Sequence, residues 1–261
     1  MAIRTTAILN LKGGVAKTTT AINMAAILAK HYGKRVLLID ADSQCNTTEF
    51  FGGISGYNNM ATLLRDFRSI EHPAGAAIMA IQTTEFPNIN LIPGDESLMD
   101  MDLSAASQGL ADTNVLRHLV EEVRNAYDYV LIDCPPAFNA ASTAALVAAD
   151  DVVIPIKLDA FSLRGMSNLL RQVQNMKAIN PRLRVAGILP TMWYRDDQIK
   201  EAEQQLRAAG LPVFHHIRRS DKVDRMTFRQ EALLISSPNS AAGVDYRTFV
   251  AEYVGGVENG L

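Results

Sequence analysis

Residues 10–20 read Asn10-Leu11-Lys12-Gly13-Gly14-Val15-Ala16-Lys17-Thr18-Thr19-Thr20. An apolar run at residues 7–9 ends just before this segment, and a helix-forming run at residues 21–29 begins just after it. A glycine pair between a strand and a helix lets the backbone curl, so that successive N–H groups point into one concavity. Because the positive end of the helix dipole lies behind that concavity, the segment is predicted to be a phosphate-binding loop.

Two side chains of the loop fit this chemistry. Lys17 can place its charge on β- and γ-phosphate oxygens, and the Thr18 hydroxyl can ligate Mg²⁺. The ordinary pattern G-x-x-x-x-G-K-[ST] fails, because Leu11 and Ala16 occupy its glycine positions, whereas K-G-G-x-x-K-[ST] fits with Lys12 at its head. The alternative is an accidental Gly-Gly turn between surface lysines, which the strand before and the helix after disfavour.

Composition limits the remaining possibilities. The chain has 261 residues, 48% of them hydrophobic, which suffices for one large core, and length alone permits one domain or two. Because the net charge is −3, any nucleic-acid binding must come from a local basic patch. The two cysteines, Cys45 and Cys134, form no C-x-x-C pair and fit a reducing compartment. With no secretory or membrane-spanning run, we expect a cytoplasmic protein without membrane contact.

Apolar, β-branched runs recur along the chain, and a helical pattern follows each of them. Runs without polar alternation are typical of strands buried on both faces, and intervening helices make the connections parallel. The sequence therefore predicts an α/β fold, a doubly wound and mostly parallel sheet with helices on both faces and ligands at the carboxyl ends of the strands. We see no repeat or linker and predict one domain over residues 1–261. The runs are residues 7–9, 36–39, 130–132, 152–156 and 185–189.

The segment from residue 45 to residue 110 is less regular. Helical patterns cover residues 61–67 and 96–107, and a short apolar run lies between them at residues 89–92. Insertions of this kind are where related proteins vary their partner contacts, and the sequence does not identify the partner.

Acidic residues follow two of the predicted strands. The strand at residues 36–39 ends in Asp40-Ala41-Asp42, and the strand at residues 130–132 ends in Asp133. Two acids one residue apart on an extended chain point to opposite sides, so only one of Asp40 and Asp42 can face the phosphates directly. Asp133 follows a buried strand in a chain with a phosphate-binding loop, which makes it a candidate for holding Mg²⁺ through water. For Asp42, a solvated strand-end turn is the alternative.

These motifs resemble those of the ParA/MinD/Soj group of P-loop ATPases, whose deviant Walker A loop has the form K-G-G-x-x-K-[ST]. The resemblance implies that Asp42 orients the attacking water and that Asp40 lies in the outer shell of the magnesium ion. It also implies that Lys12 reaches across a dimer to the nucleotide held by the other subunit. The implied magnesium site combines Thr18, Asp40 and Asp133, and the implied catalytic residues are Lys12, Lys17 and Asp42.

The resemblance extends to the nucleotide. In this group the loop after the strand at residues 185–189 lies near the base, so Thr191 and Met192 are candidates for adenine contact. The chain has no Asn/Thr-Lys-x-Asp run, the usual source of guanine selectivity, and ATP with Mg²⁺ is the predicted cofactor pair. The implied nucleotide-binding residues are Lys12, Gly13, Gly14, Val15, Ala16, Lys17, Thr18, Thr19, Thr191 and Met192.

The densest basic stretch lies at residues 215–225. In the group, a run of the form I-P-R-N-x-R at this place serves nucleotide and non-specific DNA contact. Arg219 and Lys222 match its basic positions, while Arg218 replaces its proline. A basic loop with interspersed acids can also be only a solvated face, and the sequence leaves that alternative open. The predicted DNA-binding residues are Arg218, Arg219, Lys222 and Arg225.

The resemblance implies a function in DNA partitioning. Such an ATPase dimerises on binding ATP, hydrolyses it weakly until a ParB-like partner stimulates it, and binds nucleoid DNA without sequence preference. Two alternatives come from other classes: a MinD-like ATPase that positions cargo or patterns a membrane, and a metabolic P-loop enzyme of the dethiobiotin-synthetase type. Residues 255–261 contain no lysine or arginine, which disfavours docking on anionic lipid.

Overall fold

The structure is a computed structural model that describes residues 3–56, 58–66, 75, 78–101 and 111–258. Its strands are β1 (Arg4–Ile8), β2 (Val36–Asp40), β3 (Gln82–Thr83), β4 (Ile89–Ile92), β5 (Tyr129–Asp133), β6 (Asp151–Lys157) and β7 (Arg184–Thr191). They form a seven-stranded sheet in the order β3-β4-β2-β5-β1-β6-β7. Of the pairings within the described residues, β3 with β4 is antiparallel and the others are parallel.

Helices connect and cover the strands. They are α1 (Lys17–Lys30), α2 (Asn46–Phe50), α3 (Met60–Asp66), α4 (Val115–Val123), α5 (Ala140–Ala148), α6 (Ala160–Met176), α7 (Asp197–Ala208), α8 (Asp221–Arg229), α9 (Leu233–Ser236) and α10 (Ala241–Glu258). A 3-10 helix covers Glu96–Asp100. Because the long strands run parallel, the residues that follow β1, β2, β5 and β6 meet at one edge of the sheet.

Neighbouring residues of one strand belong to two different cores, which is why the strands show no polar alternation. Ala7 of β1 packs with α4, α5 and α6, whereas Ile8 packs with α1 and α10. In β2, Leu37 and Leu38 divide between the same two cores. Successive side chains of a strand point to opposite faces, so both faces of this sheet are covered by helices. The predicted fold class is confirmed.

The irregular segment holds most of the differences from the sequence prediction. β3 was not predicted, because two residues, Gln82 and Thr83, are too short for a periodic signal. The helix predicted over residues 61–67 is α3, which ends at Asp66, and residue 67 lies outside the described residues. Over residues 96–107, the structure has the 3-10 helix Glu96–Asp100, and residues 102–110 lie outside the described ranges.

The last helix contains two adjacent glycines near its end. α10 continues through Gly255 and Gly256 to Glu258, although glycine is a poor helix former. Its buried residues Tyr246, Phe249 and Tyr253 anchor it on the sheet, so packing outweighs propensity. Among the described helices, none is both long enough and apolar enough to span a bilayer.

Candidate nucleotide and metal site

The loop between β1 and α1 turns through two residues in the left-handed conformation. Gly14 has φ of +69°, where glycine carries no steric cost. Ala16 has φ of +66° at the position where the ordinary loop pattern has glycine. For a residue with a Cβ atom, this conformation costs about 1–2 kcal/mol. The loop thus keeps a strained alanine directly before α1, as is typical of ligand-binding turns.

Helix α1 starts with its amide groups free for an anion. Ala16 provides no side-chain cap, and the first turn contains no acidic residue. The first N–H groups of a helix have no partner within the helix, and together with the dipole they favour negative charge. The loop that precedes this helix end therefore has the features of a phosphate site.

Lys17 is the cation of this site. Its side chain is buried, and Nζ donates to the carbonyl oxygen of Lys12 at 3.3 Å. Burial lowers the pKa of Lys17, and the negative charges of Asp133 and Asp42 oppose that effect. The ammonium thus lies within electrostatic reach of both acids and next to the loop that would hold the phosphates.

Two buried carboxylates lie side by side at the carboxyl ends of neighbouring strands. Asp40 and Asp133 are paired in register at the ends of β2 and β5, and they are 0% and 1% exposed. Oδ2 of Asp40 accepts hydrogen bonds from the Thr48 N–H at 2.8 Å and from the Thr48 hydroxyl at 2.7 Å. Oδ2 of Asp133 accepts from the Thr47 hydroxyl at 2.7 Å. Oδ1 of Asp133 is buried without a hydrogen-bond partner among the described residues.

This pair of carboxylates fits a divalent cation. Burial raises the pKa of Asp133, and the charge of Asp40 adds to the effect; burial also raises the pKa of Asp40. The Thr18 hydroxyl lies close enough to Asp133 to favour its charged form. Buried carboxylates need a compensating cation, and Mg²⁺ prefers oxygen ligands of this kind. The three residues predicted for the magnesium site, Thr18, Asp40 and Asp133, therefore converge.

Asp42 lies at the same edge but makes different contacts. Its N–H donates to Oδ1 of Asp40 at 3.2 Å, and its own Oδ1 accepts from the Gln44 N–H at 3.1 Å. Its charge acts on Lys17, while Asp40 is bonded to Thr48 of α2. The two acids thus have different partners, as alternation along an extended chain requires. The role of Asp42 in orienting water stays a prediction.

Lys12 forms an ion pair within its own chain. Nζ donates to Oδ2 of Asp159 at 2.7 Å and to the Ser162 hydroxyl at 2.9 Å. Burial disfavours the charged form of Asp159, but hydrogen bonds from Lys12 and Ser162 outweigh it and lower the pKa to about 2. Because the Lys12 side chain is 39% exposed, the pair is one that a competing anion can break. The predicted contact across a dimer stays a prediction.

A cavity of about 750 Å³ opens beside the first turn of α1. Its lining includes Ala16, Thr19, Met192, Tyr194, Ile217 and Tyr246. Of the two residues predicted for adenine contact, Met192 lines this cavity. Thr191 is buried, and its hydroxyl donates to the Val15 carbonyl oxygen at 3.1 Å, so that it supports the loop from β7. Apolar and aromatic side chains next to a phosphate loop suit the base and sugar of a nucleotide. Charged residues also line the cavity, namely Lys157, Arg218, Arg219, Asp221 and Asp224.

The predicted DNA-binding residues divide into two kinds. Arg218 is held by the buried Asp245, whose Oδ2 accepts from Nε and whose Oδ1 accepts from Nη2, each at 2.8 Å. Arg219 is exposed, and its backbone N–H donates to the Trp193 carbonyl oxygen at 2.8 Å. Lys222 and Arg225 lie on α8, where both are near Asp221, at 3.9 Å and 3.3 Å. Arg218 is thus held by a buried carboxylate, whereas the carboxylate near Lys222 and Arg225 is the exposed one of Asp221.

Sequence reasoning missed several residues of the site. Asp159 follows the end of β6, so the argument that identified Asp40 and Asp133 at strand ends could have found it. Thr47 and Tyr246 carried no such signal, because a threonine and a tyrosine without a motif are ordinary core residues.

Comparisons with known proteins identify the family. A family model described as an AAA domain matches residues 3–185. The chromosome partitioning protein ParA of Caulobacter vibrioides is 39% identical over 202 residues, which cover 76% of this chain and 73% of that protein.

Two solved structures share the fold along almost the whole chain. The apo McdA structure from Cyanothece has a TM-score of 0.83 at 25% identity, and the match covers 97% of this chain and 100% of the other. Cobyrinic acid a,c-diamide synthase from Mycobacterium smegmatis, with ADP and magnesium bound, has a TM-score of 0.80 at 26% identity, covering 99% and 97%. These ligands agree with the predicted cofactors. With its deviant loop, its paired strand-end acids and these relatives, the chain belongs to the AAA-domain family and is a P-loop ATPase of the ParA/MinD superfamily.

Proposed function

We propose that this chain is a DNA-partitioning ATPase whose cofactors are ATP and Mg²⁺. The observation that carries the proposal is the convergence of Lys17, the uncapped start of α1 and the carboxylates Asp40 and Asp133 beside a base-sized cavity. The Caulobacter relative supports chromosome partitioning as the process. ATP binding joins two copies, and a ParB-like partner stimulates hydrolysis and resets the cycle.

DNA is the surface on which the ATP-bound dimer assembles. The exposed Arg219 lines the cavity, and the half-buried Lys222 and the exposed Arg225 follow it on α8, so these cations provide the local basic patch that a chain of net charge −3 requires. Contacts of this kind are made to phosphates, so binding has no sequence preference and weakens with salt. The ATP-bound protein is then associated with the nucleoid.

Replacing Arg219 and Lys222 together by alanine tests this patch. Each phosphate contact contributes about −0.9 to the slope of log K against log salt, so losing two contacts in each subunit of a dimer flattens the slope by about 3 to 4. Fluorescence anisotropy of labelled duplex DNA, with ATP or ADP and over a range of salt, measures it. The matched control is the double variant Arg117→Ala and Arg124→Ala, which removes two exposed cations at and just after α4.

A metabolic enzyme is the second candidate, because the Mycobacterium smegmatis synthase shares the fold at 26% identity. The two functions differ in which added molecule makes the protein consume ATP. A partitioning ATPase hydrolyses ATP faster when DNA and its protein partner are added, whereas a synthase consumes ATP only with an organic acid acceptor. Phosphate release that DNA leaves unchanged, together with DNA binding that does not depend on ATP or on Arg219 and Lys222, would favour the enzyme.

A further inference from the structure

Helix α2 begins six residues after the end of β2, and two consecutive threonines in its first turn contact the two metal-side carboxylates. We propose that Thr47 and Thr48 are positioning residues, which fix the orientation of Asp133 and Asp40 for Mg²⁺ and so couple α2 to the metal site. The proposal rests on the proposed function, since it names further residues that serve its magnesium site.

Thr47 binds one of the two carboxylate oxygens of Asp133 and leaves the other available to a metal ion. Its side chain is completely buried, and its hydroxyl donates to Oδ2 of Asp133 at 2.7 Å. This bond links α2 to the end of β5 across 86 positions of sequence, so it is a tertiary contact and not part of a local turn. With Oδ2 occupied, Oδ1 is the oxygen that has no hydrogen-bond partner in the part of the chain that the structure describes. A carboxylate with one oxygen bonded and one oxygen free is oriented for a ligand on its free side.

Thr48 holds Asp40 more tightly. Its N–H and its hydroxyl both donate to Oδ2 of Asp40, at 2.8 and 2.7 Å. The Thr48 hydroxyl in turn accepts from the Gly94 N–H at 2.8 Å, so it joins α2, β2 and the second residue after β4. A Cβ atom at Gly94 would lie 3.1 Å from Cγ of Asp40, so a larger residue at this position would crowd the carboxylate. Asp40 is therefore fixed in orientation before any metal arrives.

A purely structural role makes a different prediction. If the threonines only satisfy buried carboxylates, their loss lowers stability equally with and without metal and leaves metal affinity unchanged. If they position the carboxylates, their loss weakens Mg²⁺ binding more than the binding of nucleotide alone. Outer partners of metal ligands typically contribute about 10- to 100-fold in metal affinity.

The test compares Thr47→Val with Thr47→Ser in the full chain. Valine keeps the volume and removes the hydroxyl, whereas serine keeps the hydroxyl. Titration with fluorescent ADP at fixed Mg²⁺ concentrations gives the Mg²⁺ affinity of the ADP complex, and titration in EDTA gives the affinity for ADP alone. We expect Thr47→Val to lose about 10- to 100-fold in Mg²⁺ affinity with ADP affinity in EDTA unchanged, and Thr47→Ser to remain within about threefold of the parent.

The control is Thr6→Val, which also removes a buried hydroxyl contact, the 2.6 Å bond to the Tyr253 hydroxyl, at a distance in sequence from the metal side. It should lower the melting temperature without changing Mg²⁺ affinity. If Thr47→Val does not fold, Thr47→Cys keeps the size and leaves only a weak donor. Unchanged Mg²⁺ affinity in Thr47→Val, or failure of both variants to fold, would overturn the proposal. If the parent protein itself binds no Mg²⁺ with ADP, the proposed function fails instead.

Discussion

Substitution of Arg218 tests whether this arginine of the basic stretch has a structural role, because its side chain forms an ion pair with Asp245. Asp245 is completely buried, and it accepts two side-chain hydrogen bonds and one backbone hydrogen bond from Arg218. Replacing Arg218 by alanine removes the two side-chain bonds and leaves Asp245 with the Arg218 N–H and with His215, whose Nε2 lies 3.3 Å from Oδ1. We therefore expect Arg218→Ala to destabilise the fold.

The size of the effect follows from the burial of the two partners. A hydrogen bond to a charged group contributes about 1.5–3 kcal/mol, and removing one partner adds the cost of an unpaired charge. The Asp245 side chain is 1% exposed, but the Arg218 side chain is 44% exposed, so solvent screening reduces the total. We expect a loss of about 2 kcal/mol, which at about 2–4 °C per kcal/mol is about 4–8 °C in melting temperature for a chain of this size.

The effect has a defined pH dependence. Burial disfavours the charged form of Asp245, but hydrogen bonds from Arg218 outweigh it and lower the pKa of the carboxyl group. A lowered pKa means stability that is present above the unfolded value, about 3.9, and is lost as pH falls through the folded value. In Arg218→Ala the pKa of Asp245 rises, so the carboxylate becomes protonated at a higher pH than in the parent. The difference in stability between variant and parent is then largest at pH 7 and shrinks as pH falls towards 4.

Thermal unfolding at pH 7 and at pH 4.5, without nucleotide, measures this difference. Arg219→Ala is the matched control, since it removes the same charge from the neighbouring position without touching Asp245. It should leave the melting temperature within about 2 °C, because exposed substitutions are usually within about 0.5 kcal/mol. Equal melting temperatures for both variants, or a difference that does not change with pH, would refute the electrostatic account of Arg218.

Three further predictions concern the site itself. Lys17→Ala should abolish binding in a fluorescent-ATP titration, because it removes the buried cation of the loop; unchanged affinity would contradict the phosphate-site assignment. Asp42→Ala should bind ATP and dimerise but release phosphate about 10²–10⁴-fold more slowly, whereas failure to bind ATP would make Asp42 a metal or structural group. Lys12→Ala in the Asp42→Ala background should remain monomeric with ATP in light scattering, since the cation for the other subunit is gone; a full-strength dimer would rule out that contact.

The sequence predicted the parts of the fold that depend on local composition. Each of the five apolar runs became a parallel strand, and the helix-forming run at residues 21–29 became part of α1. These elements were predictable because burial on both faces demands continuous apolar side chains, which are visible without knowing the partner strands. The acids Asp40 and Asp133 were found for a related reason, since parallel strands bring their carboxyl ends to one edge.

Contacts between distant segments were not predictable. The partner of Lys12 lies 147 positions away at Asp159, and the partner of Arg218 lies 27 positions away at Asp245 in α10. The sequence around a basic residue does not indicate which acidic residue will pair with it in the fold. Arg218 was therefore grouped with the predicted DNA-binding residues. β3 was missed for the complementary reason, because a two-residue strand is defined by its pairing with β4 and not by its own pattern.

The loop that follows Ile217 lines the cavity and also carries the exposed cations Arg218 and Arg219, which bears on how nucleotide and DNA would affect one another. Its backbone is bonded to β7: the Trp193 N–H donates to the Ile217 carbonyl oxygen at 2.9 Å, and the Arg219 N–H donates to the Trp193 carbonyl oxygen at 2.8 Å. Met192, directly before Trp193, lines the cavity. Under the proposed function, we therefore expect a base bound against Met192 to influence the backbone of Arg219 through one intervening residue. Since coupling between two ligands is reciprocal, DNA bound at Arg219 would then change nucleotide affinity by the same factor as nucleotide changes DNA affinity.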